Sequence, residues 1–363
     1  MSLELRCWSE EEFAHSKDPW DRLLAGSDAD PLFMSWDWQW RWWRHHGAAL
    51  DAALHLLALY AGERLVALAP FYSRRVLTRG LLRGRRVEIL GIAWRDPHTV
   101  FSDYLDLIVA REHGAAAIAR IAAWLEAERF WDELVLACTP RDGLACALVR
   151  GHLAGRALIR EVDPASAWCA CLPATFEEYV ASLRSDARRK LLNHRTRLVS
   201  PELRAAAAAD VAGDLELLWR FSRARWGELG LSAAAREFYL DLALGAVQRG
   251  DLRLTRLTSA GRPLSVMYNL RRGATVYYLQ SGFDPSGARG LSPGYLHFGF
   301  AIEAACREGA TRFDLLAGRG RHRDYKQDLL AKEVPVVTYH VVRARLARAL
   351  YGAYESVRGL WRR

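Results

Sequence analysis

The chain of 363 residues has little lysine: only Lys17, Lys190, Lys326 and Lys332 occur, so arginine supplies nearly all of the net charge of +9. It has no apolar run long enough to cross a bilayer, because its best candidates are broken by Arg, Glu or Asp. The opening MSLELRCWSEEEF lacks the basic-then-apolar pattern of a secretion signal, and a cytoplasmic protein is expected. Six cysteines (Cys7, Cys138, Cys146, Cys169, Cys171 and Cys306) form no CxxC pair and no zinc spacing, so most are expected to be small apolar core residues. There is no P-loop, no dinucleotide GxGxxG, no HExxH and no serine-nucleophile elbow. Neither a metal nor a redox cofactor is implied.

What is present is the composition of a folded protein: half the residues are apolar and a quarter are charged, over a length sufficient for two domains. In the first half, Leu54–Tyr60 and Arg64–Tyr72 about Gly62 read as a hairpin. Val87–Leu90 and Tyr104–Val109 read as further strands, Ala115–Glu128 as a helix and Leu134–Cys138 as the strand after it. Gly155–Pro173 reads as a connection. A helix then opens near Thr175 with Phe176, Tyr179 and Leu183 on one face. Helices around Leu215–Trp226 and Ala235–Gln248 follow, the latter stopped by Gly250. Strands Arg253–Thr258 and Leu264–Arg271 meet at Ala260-Gly261, and Thr275–Gln280 is the next strand. The two halves read as divergent copies, residues 1–155 and 156–340, followed by a basic amphipathic helix, residues 341–363. That last helix either packs on the last strand or lies on a membrane surface.

The loop after Gln280 is the most informative stretch. Ser292 is suited to an N-cap and Pro293 to the first helical position. A helix start leaves unpaired N–H groups with partial positive charge, a ready phosphate site. Arg289-x-x-Ser292-x-Gly294 resembles the pyrophosphate loop of the GNAT acyltransferases, with serine where that family has its first glycine. With Ser281-Gly282-Phe283-Asp284-Pro285, Phe313-Asp314-Leu315-Leu316-Ala317-Gly318 and Tyr325-Lys326, the series resembles the bacterial double-GNAT family. That family includes the CelD-type proteins of cellulose and exopolysaccharide clusters and is related to the Fem-type aminoacyltransferases.

The resemblance implies an α/β fold of two tandem GNAT-like lobes, each a mixed twisted sheet flanked by helices, the first without a phosphate loop. It implies an acetyl-CoA or longer acyl-CoA donor and an amine acceptor, either a small molecule, a saccharide or a lipid of the cell envelope. Pantetheine would bond to the backbone at Leu279, Gln280 and Ser281 in a splay between strands 275–280 and 312–316. The pyrophosphate would bond at Arg289, Gly290, Leu291, Ser292, Gly294 and Tyr295. Lys326 would stabilise the oxyanion, Tyr325 would protonate the leaving thiolate and Asp314 would deprotonate the amine. Alternation puts Tyr278 and Gln280 on one face; Tyr278 and Trp226 are assigned to the substrate pocket. His322 is a weaker candidate base.

Two clusters stand apart. Trp36, Trp38, Trp40, Trp42 and Trp43 fit a strand by alternation; the resemblance makes them a helix with Trp36, Trp40 and Trp43 on one face. Arg184–Arg197 is a basic run that reads as a solvated face or as a contact for an anionic acceptor, or for tRNA in a Fem-like enzyme. A non-catalytic accessory of polysaccharide assembly also fits the residues. In every reading the protein works in the cytoplasm, with peripheral contact to the inner membrane through the terminal helix as an added expectation.

Overall fold

The computed structural model describes residues 3–78, 80–227, 231–284, 286, 290–317 and 324–351, the side chains of Trp226 and Asp324 excepted. The chain forms two compact units, residues 1–165 with 335–363, and residues 166–334.

The first unit holds β1 (Glu4–Trp8), α1 (Glu10–His15), α2 (Lys17–Ala25), α3 (Trp36–His46), β2 (Ala53–Ala61), β3 (Arg64–Thr78), β4 (Leu82–Ile89), β5 (Ile108–Val109), α4 (Gly114–Ala127), β6 (Glu133–Pro140) and α5 (Leu144–Leu148). Its strands follow the order β1-β2-β3-β4-β6-β13, with β13 (Lys332–Val342) antiparallel to β6; β5 pairs with β3. β4 and β6 are parallel, joined through α4. A parallel neighbour requires such a crossover.

Several expectations are corrected here. Tyr104–Val109 is strand only at Ile108–Val109. The tryptophan cluster is helical, with Ser35 capping α3 through the N–H of Trp38. Its buried seam is Trp38, Trp42 and Trp43; Trp36 and Trp40 instead stack on each other at the margin. Trp38 and Trp42 bond Ser102 Oγ and the Val100 oxygen, so their polar edges are satisfied inside the core. The expected helix from residue 341 begins later: β13 continues to Val342, and residues 345–351 are helical. The part of that tail beyond 351, with its arginines 358, 362 and 363, lies outside the described residues.

The second unit begins inside β7 (Leu158–Cys171), a long strand where the sequence reads as a connection. Asp163 has positive φ within it, and Pro164 follows, which hides the strand from a pattern reading. Then come α6 (Phe176–Ser182), α7 (Ser185–Leu191), β8 (Glu202–Ala205), α8 (Val211–Trp226), α9 (Ala233–Arg249), β9 (Leu252–Ser259), β10 (Arg262–Arg272), β11 (Thr275–Phe283), α10 (Pro293–Arg307), β12 (Arg312–Asp314) and α11 (Asp324–Asp328). The sheet order is β7-β12-β11-β10-β9-β8, with β11–β12 the parallel pair. Thus β11–α10–β12 repeats the β4–α4–β6 unit, and β7 caps it as β13 caps β6.

Helix α9 ends as its sequence predicts, on Gly250 in the left-handed conformation. The core of this unit packs α6, α7 and α10 on one sheet face: Tyr179, Leu191, Met267, Ile302 and Phe313 are all within 1% of full burial. Burying a side chain such as Ile302 stabilises by about 1.5–3 kcal/mol. Among the described residues no helix is long and apolar enough to cross a membrane.

Candidate active site

The site is built where β11 and β12 part. Their parallel pairing runs Thr275↔Arg312, Val276↔Phe313 and Tyr277↔Asp314, and ends there. β11 continues to Phe283, bonded along its other edge to β10. The main chain of 278–283 therefore presents an edge with no strand on it among the described residues. This is the splay expected at Leu279, Gln280 and Ser281. An extended group can bond such an edge like an added strand.

A bulge shapes this edge. Tyr268 faces Gln280 and Asn269 faces Tyr278, so Leu279 is an extra residue on β11. Tyr278 and Gln280 consequently lie on opposite faces, which corrects the alternation reading. Tyr278 shares its face with Ser281, and its hydroxyl is 2.7 Å from Ser281 Oγ. Gln280 lies on the face of Tyr268 and Gly282, where a Cβ on Gly282 would stand 2.4 Å from the Leu218 oxygen of α8. The Oε1 of Gln280 is buried with no hydrogen-bond partner among the described residues.

Helix α10 starts at Pro293, as expected. The N-cap is Ser292, but its side chain makes no capping bond, since its backbone (φ −118°, ψ 83°) is not in the usual capping geometry. That leaves the first-turn N–H groups uncapped by Ser292. Gly290 has φ +74°, and its oxygen accepts from Arg197 Nη1 at 2.9 Å. Part of the basic run is thus structural. Arg188 donates to the oxygens of Val180, Ala181 and Leu183, and Arg195 pairs with Glu303 at 2.6 Å. Arg289, His322 and the side chain of Trp226 lie outside the described residues. Leu291 packs on a small cluster of Leu198, Leu257, Leu264 and Leu296.

Two groups expected to carry chemistry, Asp314 and Lys326, converge on one residue. Leu316 has φ +57°, a left-handed conformation costing a leucine roughly 1–2 kcal/mol. Its N–H donates to Asp314 Oδ1 at 2.8 Å, and its oxygen accepts from Lys326 Nζ at 2.6 Å. Asp314 and Lys326 are both buried. Tyr325, beside Lys326, stacks on Phe298 of α10 with ring centroids 5.9 Å apart. Burial, with Tyr278 and Tyr295 nearby, pushes its phenol well above the ordinary tyrosine range. Burial likewise raises Tyr278. Tyr295 donates to Asp328 Oδ2 at 2.7 Å. Cys169 faces Asp314 across the β7–β12 ladder, and burial and that carboxylate push its thiol up to about 12, so it stays a thiol.

One residue here was missed by sequence reasoning. Arg225, near the end of α8, lies over the Phe283 ring at 4.4 Å and interacts electrostatically with Tyr278 and Tyr325. Burial lowers its pKa. Nothing in the local pattern distinguishes Arg225 from Arg223 or Arg220 on the same helix.

Residues 181–327 match the family model of the acetyltransferase (GNAT) domain. The match spans α7 through α11, the stretch that contains the open edge, the α10 start and the Leu316 cluster. No curated protein sequence matches the chain. Among solved structures, the fold is similar to that of FemX, at 10% identity and a TM-score of 0.66, covering 95% of this chain and 99% of that one. It is similar to a conserved protein of unknown function from Bacteroides thetaiotaomicron, at 12% identity and a TM-score of 0.55, covering 94% and 99%. It is also similar to L-PGS from Bacillus licheniformis, at 12% identity and a TM-score of 0.53, covering 95% and 97%. These likenesses establish the fold. The expected class, two tandem GNAT-like lobes each built on a mixed sheet flanked by helices, is the one observed.

Proposed function

We propose that the second unit is an acyl-CoA-dependent N-acyltransferase. The observation that carries this reading is the end of β11–β12 pairing at Tyr277↔Asp314, together with the start of α10 at Pro293, where the Ser292 side chain makes no capping bond. A pantetheine arm would bond the free edge at Leu279–Ser281, and the pyrophosphate would meet Gly290, Leu291, Ser292, Gly294 and Tyr295 with Arg289. Each charge-assisted bond is worth roughly 1.5–3 kcal/mol.

In the reaction an amine nitrogen attacks the thioester carbon. The carbonyl oxygen becomes an oxyanion, and collapse breaks the C–S bond. Lys326 would hold that oxyanion. Tyr325, kept protonated by burial, would give its proton to the departing thiolate. Asp314 would accept the proton from the amine. Tyr278 and Trp226 would border the acyl or acceptor group. The acceptor would be a saccharide or lipid amine of the cell envelope, handled on the cytoplasmic side.

A second reading, aminoacyl transfer from tRNA, draws support from the likeness to FemX along 95% of the chain. Calorimetric titration with acetyl-CoA, a long-chain acyl-CoA and free CoA, repeated on Arg289→Ala, separates them. Micromolar binding weakened by the substitution supports the thioester donor. Failure of every thioester to bind, with transfer abolished by ribonuclease, replaces it with the tRNA reading.

A further inference from the structure

The hairpin of β3 and β4 in the first unit carries more positive charge than its own structure uses. In its register, Arg74 stands directly opposite Arg86, Arg75 opposite Arg85, and Leu77 opposite Arg83. Like charges facing each other across a ladder destabilise it unless something neutralises them. On one face the protein does so itself. Buried Glu88 pairs with Arg74 at 2.8 Å, and buried Glu133 pairs with Arg86 at 2.8 Å. On the other face Arg75, Arg83 and Arg85 have no ion pair among the described residues.

The tip of the hairpin adds apolar surface. It turns between Leu77 and Leu81, with Gly80 at φ +73° and Leu81 N–H donating to the Thr78 oxygen. Leu77 is 62% exposed and Leu81 is 72% exposed. An open cavity of about 1140 Å³ adjoins, lined by Arg74, Arg75, Arg83, Arg85, Arg86 and Arg95, with Asp132 the one carboxylate on its wall among the described residues.

We propose that this hairpin docks the protein on an anionic membrane surface. Arg75, Arg83 and Arg85 would take lipid phosphates, while Leu77 and Leu81 enter the headgroup–acyl boundary. The charge calls for a polyanion, and the two leucines choose among polyanions: aliphatic side chains have a place to go in a bilayer and none on a phosphate backbone. The arginines and leucines of this surface belong to the β3–β4 hairpin and are none of the residues given a role in acyl transfer, so the proposal stands whether or not the acyl-CoA reading does.

The test is flotation of the full chain with vesicles of phosphatidylglycerol and phosphatidylcholine at 0.1 M salt, against pure phosphatidylcholine. One arginine near an anionic surface contributes about fivefold in partition. The combined Arg75→Gln, Arg83→Gln and Arg85→Gln variant is therefore expected to lose roughly 100-fold. The pair Leu77→Ser and Leu81→Ser should lose at least about tenfold. A control removing equal charge, Arg44→Gln, Arg64→Gln and Arg120→Gln, should stay within about twofold of the parent if position matters rather than total charge. Circular dichroism and melting of each variant confirm that it is folded. The proposal is overturned by absence of binding to anionic vesicles, by hairpin variants that float like the parent, or by an equal loss in the control. It is also overturned if the leucine pair has no effect while RNA binds the parent and is lost with the arginines.

Discussion

Lys326 donates from Nζ to the Leu316 main-chain oxygen at 2.6 Å, and Leu316 in turn gives its N–H to Asp314. A strained residue is thus clamped by the carboxylate proposed as the base and the ammonium proposed to hold the oxyanion. Strain of this kind persists where surrounding bonds over-determine it. Replacing Lys326 by methionine should lower the transfer rate by about 100-fold or more, the range seen when one oxyanion donor is removed. The same change leaves the Leu316 oxygen unpaired, a cost of about 1–3 kcal/mol. Melting and steady-state kinetics on one preparation separate the two effects. A variant with full rate and a lowered melting temperature would show that Lys326 is structural.

Tyr325 is held protonated by burial beside Tyr278 and Tyr295. As the acid for the thiolate it should give a rate with no loss on the alkaline side up to about pH 10, the ordinary tyrosine range. Tyr325→Phe should cost about 10²-fold in kcat with little change in donor binding. A pH–rate profile of the chemical step checks this. An alkaline fall near pH 8 that persists in Tyr325→Phe would assign the acid elsewhere.

His297 joins α10 to two strands: its ring nitrogens lie 2.8 Å from Thr255 Oγ1 and 2.7 Å from Ser265 Oγ. Burial lowers its pKa to about 3, and burial lowers His46 and His55 to about 4. The unfolded chain takes up these protons near pH 6.5 and the folded chain does not. Their contribution is therefore fully present above about pH 6.5 and is lost as pH falls toward 3–4. Urea midpoints should drop steadily from pH 7 to pH 4.5. His297→Asn should be less stable at pH 7 and show a shallower slope. A parent midpoint independent of pH across that range would contradict the assignment.

Gly282 and Gly299 are fixed by close approach. A Cβ at Gly299 would lie 2.3 Å from the Leu191 oxygen, and one at Gly282 2.4 Å from the Leu218 oxygen. Both contacts are with main chain, which cannot rotate away. Gly282→Ala and Gly299→Ala should each destabilise by about 1–3 kcal/mol or more. Only Gly282→Ala, beside the open edge, should also weaken donor binding. Equal effects of the two on binding would remove the edge from the site.

The chemistry-bearing segment was legible because local rules govern it. Strand β11, the Ser292-Pro293 helix start and the strand opening at Arg312 follow from turn residues, helix-start residues and resemblance, although that strand stops at Asp314 rather than Leu316. The stop at Gly250 follows in the same way, whereas the tryptophan cluster reads as a strand by alternation and as a helix only by resemblance. What was not legible depends on partners far along the chain. The bulge at Leu279 exists only in the pairing with β10, and it turned Gln280 away from Tyr278. β7 is a strand because β12 pairs with it, although Asp163 and Pro164 interrupt its pattern. Arg225 joins the site through the approach of α8 to β11, and Leu316 is left-handed because Asp314 and Lys326 hold it so.

The most direct measurement is amide hydrogen exchange of the full chain with and without acetyl-CoA or a long-chain acyl-CoA. The account predicts slowed exchange concentrated in residues 278–283 and 290–296, the open edge of β11 and the start of α10. It predicts little change along β9 and β8, which lie beyond β10 in the sheet. Protection confined to the first unit, or none at saturating ligand, would contradict it.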